Sequence, residues 1–189
     1  MFSTFLDLGF DHISDWQAYD HILFIVTLCA VYRLSDWKKV LILVTAFTLG
    51  HSVTLALSVL DVLRVPPDLV EMLIPVTILL TSLHNVSGLA ETPRKLGLNY
   101  LLALCFGFVH GMGFANYFRS LFGAMGSVAQ PLFAFNVGIE LGQLMIVAAF
   151  FGLYFLLKKA VAFEHRSWVQ FVSGAGAGVA ITLILKNLT

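Results

Sequence analysis

The sequence predicts an all-α, polytopic membrane helix bundle: about six transmembrane helices, an N-terminal interfacial helix, and both termini outside. Three observations carry this. The 189 residues are 59% hydrophobic and only 12% charged, with a mean hydropathy of +0.89. The apolar runs are long and do not alternate. The basic residues gather in alternate connecting segments. Soluble domains carry roughly 25% charged residues, so a chain half as charged lacks the polar groups to cover a globular surface. Lipid is the alternative solvent, and there every backbone N–H and C=O must be satisfied internally, by helices or by a closed barrel. Barrel strands alternate in polarity; these runs do not.

A span needs about 20 mostly apolar residues. The candidates, in a single membrane domain over 1–189, lie at about 19–33, 38–60, 67–86, 97–118, 130–157 and 167–186. The first is short before Arg33, and the fifth is long enough to tilt or overshoot the bilayer. Residues 1–18 mix Phe and Leu with Asp7, Asp11 and Asp15, which suggests an interfacial or partly re-entrant helix. They hold no Lys or Arg, so the basic region of a cleavable signal is missing.

Orientation follows the basic residues. With the N-terminus outside, the inner segments hold Arg33, Lys38, Lys39, Arg94, Lys95, Lys158, Lys159 and Arg166, and the outer ones hold Arg64, Arg119 and Lys186: eight against three. The net charge of zero points to no partner, and the lack of any basic patch or stripe argues against nucleic acid. The partners expected are the lipid bilayer and a metal ion. The small-xxx-small pairs Gly107/Gly111, Gly138/Gly142 and Gly174/Gly178 suit close helix packing within one bundle, with a homo-oligomer seam as the alternative. Cys29 and Cys105 sit in apolar runs and read as small buried hydrophobes, not as a disulfide or ligand pair.

Ionisable groups inside a membrane are costly, so each asks for a partner or a task. Asp20 and His21 open the first span, His51 lies mid-way in the second, and Glu71 opens the third, which His84 and Asn85 close. His110 lies in the fourth, and Asn136, Glu140 and Gln143 in the fifth. The last three are spaced i, i+4, i+7 and share a helix face, as Thr48, His51 and Thr54 do at i, i+3, i+6. The orientation above puts Asp20, His21 and Glu71 near the outer face. His51, His110 and Glu140 fall at or slightly outward of mid-depth, and His84 and Asn85 at the inner face.

Imidazoles and carboxylates at a common depth suit a borderline divalent cation: imidazole takes nickel, zinc, copper or iron, and the absence of a thiol or Met cluster argues against copper(I). The ion would pair with buried carboxylates and keep the histidines neutral. The expected metal ligands are His21, His51, His110, Asp20 and Glu140. His12, Glu71, Asn136, Gln143, His84 and Asn85 are further ligand or pathway candidates. Plainer readings stand beside these. Glu71, after Pro66, Pro67 and Asp68, fits an acidic first helical turn, and Asp20 fits a cap. His84 and Asn85 fit an interfacial helix end. His165 between Glu164 and Arg166 fits a solvated loop side chain. For His51, His110 and Glu140 the plain reading is an interhelical hydrogen bond.

At these residues the sequence resembles the HupE/UreJ family, small membrane proteins associated with nickel or cobalt supply to hydrogenase and urease. The blocks that carry it are GFDHI (9–13), YDHILF (19–24), FTLGHSVTLALS (47–58), VEMLIPVTILLTSLHNV (70–86), FGFVHGMGFA (106–115) and FNVGIELGQL (135–144). The family's first motif, a histidine followed by an Asp-His pair, maps onto His12, Asp20 and His21. Seven residues intervene here where the nickel-permease form has five. Better-studied nickel members carry a second histidine beside the one in the fourth-span block, followed by a Glu. This chain has only His110 there and offers Glu140 from the fifth span, so it looks like the less characterised branch. The resemblance implies a multi-pass protein of the bacterial inner (cytoplasmic) membrane that moves a divalent transition metal.

Three function classes remain open on these grounds. A permease would admit a cation past Glu71 and Asp20, hold it at the histidines and release it near His84 and Asn85. No nucleotide-binding loop is visible, so movement would be passive, proton-coupled or driven by a partner. An intramembrane metal-dependent hydrolase would hold zinc on three histidines with Glu140 or Asp20 as general base, although no helical HExxH is present. A purely structural metal is the third possibility.

Overall fold

The computed structural model describes residues 1–17, 19–88, 96–122 and 128–188. Among them are seven α-helices and no strand: α1 Phe2–Ser14, α2 Asp20–Cys29, α3 Trp37–Val59, α4 Pro67–Val86, α5 Leu96–Phe122, α6 Ala129–Ala160 and α7 His165–Leu188. A 3₁₀ turn, Leu34–Asp36, leads into α3. Five helices (α3 to α7) are long and apolar enough to cross a membrane. The chain is a helical membrane bundle.

The first expected span differs. In place of a continuous helix over 19–33, α2 has ten residues, about 15 Å at 1.5 Å per residue, half the roughly 30 Å of a bilayer core. The missing length is supplied by α1. Successive turns of α5 meet first α2 and then α1: Phe106 stacks on Phe24 at 3.8 Å, His110 lies 4.5 Å from His21, Phe114 4.0 Å from His12, and Phe118 6.2 Å from Phe5. The two short helices therefore lie end to end along α5, one ending at Ser14 and the other beginning at Asp20. Non-helical backbone at such depth is tolerated where protein surrounds it. The N-terminal helix, expected as interfacial or partly re-entrant, instead packs within the bundle in line with α2 and runs parallel to the first half of α6.

Glycines make these close approaches possible. On α1 and α6, a Cβ at Gly9 would stand 2.0 Å from the Phe135 carbonyl oxygen, and one at Gly138 2.0 Å from that of Leu6. On α3 and α5, a Cβ at Gly107 would meet the Phe47 oxygen at 2.1 Å, and one at Gly50 the Leu104 oxygen at 2.3 Å. Both pairs run parallel: one turn after the Gly138 and Gly107 contacts, Gly142 meets Ile13 and Gly111 meets Thr54. Gly107/Gly111 and Gly138/Gly142 thus pack within the chain. Gly174 and Gly178 meet nothing within 4 Å, and Gly176 between them faces Thr27 and Ser82 instead.

The pair α4 and α7 runs antiparallel. Pro75 inside α4 removes the N–H that would bond the Glu71 carbonyl, and Asn187 of α7 donates to that carbonyl at 2.8 Å instead. Beyond Ser87, Gly88 takes the left-handed φ of +74° at the end of α4, where a side chain would be strained. Phe2 lies beside Phe133 at the start of α6, so both chain ends gather at one end of the bundle, with the turn around Asp61 and Arg64. Arg33, Lys38, Lys39, Lys158, Lys159 and Arg166 lie toward the other. Arg94, Lys95 and the Arg119 side chain, which also enter the charge count, lie outside the described residues. Cys29 and Cys105 are both free; Cys29 is buried, but Cys105 is on an exposed face.

Candidate metal centre

The break between α1 and α2 brings four histidines together. His12 is on the last turn of α1. The chain leaves the helix at Asp15 in an extended conformation, and the Asp15 Oδ1 accepts the Gln17 N–H at 2.8 Å. It re-enters helix at Asp20, whose Oδ1 accepts the His21 backbone N–H at 3.0 Å and lies 3.1 Å from His21 Nδ1. A carboxylate can only accept, so Nδ1 carries the proton and Nε2 presents its lone pair. His51 and His110 come from α3 and α5, held side by side by the Gly50 and Gly107 contacts.

Ring centroids lie 4.7 Å apart for His12 and His21, 4.5 Å for His21 and His110, 5.8 Å for His12 and His51, and 6.4 Å for His21 and His51. His51, His110 and His21 are 0%, 1% and 4% exposed. Both ring nitrogens of His51 and of His110, and Nε2 of His12 and of His21, are buried without a hydrogen-bond partner among the described residues. Leaving such groups unpaired costs several kcal/mol each in a medium without water. Among the described residues, two sets have ligand atoms within 4.8 Å of one another: His12, His21 and His51; and Asp20, His21 and His110. Imidazole nitrogen and carboxylate oxygen are the donors that bind nickel, cobalt and zinc.

Of the expected ligands, His21, His51, His110 and Asp20 come together, and His12 joins them. Asp20 and His21 lie level with His51 and His110 rather than near the face, because α2 begins halfway through the bundle. Glu140 is elsewhere. Its Oε1 accepts from Thr45 Oγ1 at 2.7 Å, and Thr45 lies six residues, about 9 Å of helix, from His51. The interhelical hydrogen bond is what the structure gives this residue. Gln143 does the same with Thr48 at 2.9 Å. Asn136, beside Phe135 whose ring flanks His12 and His51, has a buried Oδ1 without a partner. Glu71 shares a cleft of about 290 Å³ with Gln17, Tyr19 and Asp20. A second cleft, of about 470 Å³, is lined by Asp11, His12, Asp15 and Phe114.

His84 is half-buried at the far end of α4, away from the cluster. Asn85 is a cross-tie: its Nδ2 donates to the Thr27 carbonyl at 2.8 Å and to Ser173 Oγ at 3.1 Å. His165, expected as a solvated loop residue, opens α7 and is half-buried. Its Nε2 lies 3.2 Å from the Val31 carbonyl and its Nδ1 3.4 Å from the Tyr154 hydroxyl.

Sequence reasoning missed a layer of phenylalanines. Phe24, Phe47 and Phe106 are 2% exposed or less. Phe24 stacks on both others, at 5.6 Å from Phe47 and 3.8 Å from Phe106. Each sits one turn from a cluster histidine, on the side away from the chain ends. The signal was the shared F-x-x-x-H spacing of Phe47/His51 and Phe106/His110, with His21-x-x-Phe24 in the oppositely directed helix.

A family model described as HupE / UreJ protein matches residues 1–187. No curated protein and no solved structure matches the chain. Since the match covers nearly the whole sequence, the chain belongs to the HupE/UreJ family.

Proposed function

We propose that this chain carries a divalent transition-metal ion, nickel or cobalt, across the bacterial inner membrane through the histidine cluster. The carrying observation is the set of buried, unpartnered imidazole nitrogens from α1, α2, α3 and α5 beside the Asp20 carboxylate. Four such rings exceed what helix packing needs, and with Asp20 their ligand atoms fall in two sets, each within 4.8 Å. The family's association with nickel and cobalt supports the identity of the cargo.

The ion would enter through the acidic clefts at Asp11, His12 and Asp15 or at Glu71 and Asp20, exchanging water for imidazole. Beyond the histidines, the Phe24, Phe47 and Phe106 layer closes the way to the other side. Release there requires this layer to part, and the path then passes Glu140. Binding requires neutral imidazoles, so each arriving cation displaces protons, which offers a route to proton coupling.

Both clefts open in the same half of the bundle. That favours a second reading, an intramembrane hydrolase with a resident zinc and a single opening. Nickel accumulation by cells expressing the chain separates the two. The transport reading expects uptake above that of cells expressing His21→Ala at equal protein level. Equal accumulation, with metal retained on the purified protein through chelator dialysis, would move the assignment to a resident metal.

A further inference from the structure

We infer that the cluster holds its cation at two alternative positions sharing His21: one between His12, His21 and His51, the other between Asp20, His21 and His110. This rests on the transport reading above and deepens it.

The five side chains fall into two sets rather than one, and His21 is their only common member. Ligand nitrogens stand about 2.1 Å from such an ion, so opposite ligands of one ion are about 4.2 Å apart. Within each set the ligand atoms are inside 4.8 Å, so each closes on an ion with small side-chain movement. His21 stands edge-on to His12 at 70° and to His110 at 77°, a ring between two rings.

Asp20 changes role between the positions. With the ion among the three histidines, its Oδ1 orients His21 through Nδ1, leaving Nε2 to bind. With the ion at His110, the same carboxylate becomes a ligand and adds a negative charge. Each position also has its own opening, for His12 lines one cleft and Asp20 the other. Two divalent ions a few ångströms apart with one carboxylate between them repel strongly, so only one position fills at a time. Moving between them exchanges two ligands while His21 stays bound, and the ion never loses its whole shell.

Equilibrium dialysis of the detergent-purified protein against nickel, with cobalt absorption spectra alongside, tests this. The wild type should bind one ion. His51→Ala and His110→Ala should each still bind one, and at least one of them within about twofold of the wild-type affinity, since removing one of two equal alternatives halves the association constant. His21→Ala and the His51→Ala/His110→Ala double variant should weaken binding by about 100-fold or more. His51→Gln and His110→Gln replace the alanines wherever those elute aggregated. The ion in the His110 variant should show nitrogen ligation alone, and that in the His51 variant a carboxylate oxygen. Loss of about 100-fold in both single variants, two ions in the wild type, or retained binding in His21→Ala overturns the two-position arrangement and leaves transport standing. A wild type that binds no ion overturns both.

Discussion

Two levels of this bundle handle buried polar groups in opposite ways. Near the non-terminal end, Asn85 Nδ2 has two acceptors, and His165 reaches the Val31 carbonyl and Tyr154. The hydroxyls of Thr27, Thr81 and Ser82 there lack partners but can rotate toward carbonyls of their own helices, as Thr48 and Thr54 do. At the level of His21, His51 and His110 the rings are as deeply buried, yet six imidazole nitrogens, counting that of His12, have no partner. An imidazole cannot turn to a carbonyl at every edge. The difference separates polar residues that hold helices together from those that present lone pairs to a ligand.

The largest break in that contrast should come from Gly107→Leu. Its Cβ would enter the Phe47 carbonyl and drive apart the helices that set His51 beside His110. Backbone offers no rotamer to yield, so the cost should exceed the ~1–3 kcal/mol of ordinary overpacking, seen as loss of monodisperse protein. His21→Ala should leave the bundle folded but lower nickel affinity by about 100-fold or more, read by dialysis. Lowering the pH should act in the same direction. Ligand imidazoles must be neutral, so affinity is full at high pH and falls once the pH is low enough for protons to compete with the ion for them.

Asn85→Ala sharpens the other side. It removes two hydrogen bonds and no lone pair in the cluster, so thermal stability should drop by about 0.6–1.7 kcal/mol with nickel affinity unchanged. The smallest effect is expected from Glu140→Gln. The amide oxygen still accepts from Thr45, so nickel affinity in dialysis should stay within about twofold.

Much of the fold was legible in the sequence, because twenty-residue apolar runs in lipid leave few options. The depth of Asp20 and His21 was not. A hydropathy pattern does not distinguish a span that begins at residue 19 from the lower half of a crossing shared with residues 2–14. The break also draws in His12, which sequence spacing alone could not align with His21. Glu140 was expected at the depth of His51 and His110 but lies more than a turn away beside Thr45, a neighbour that only tertiary packing reveals. The phenylalanine layer was written as a repeated spacing, but its meaning depends on α3 and α5 running parallel, side by side.

The most direct test of the account is nickel flux into proteoliposomes holding a metal-sensitive dye. The account predicts wild-type flux driven by a nickel gradient, its absence in His21→Ala, and faster, less regulated flux when Phe24→Ala thins the closing layer. A wild-type protein that binds nickel yet passes none under a nickel gradient, a pH gradient or a membrane potential would contradict it.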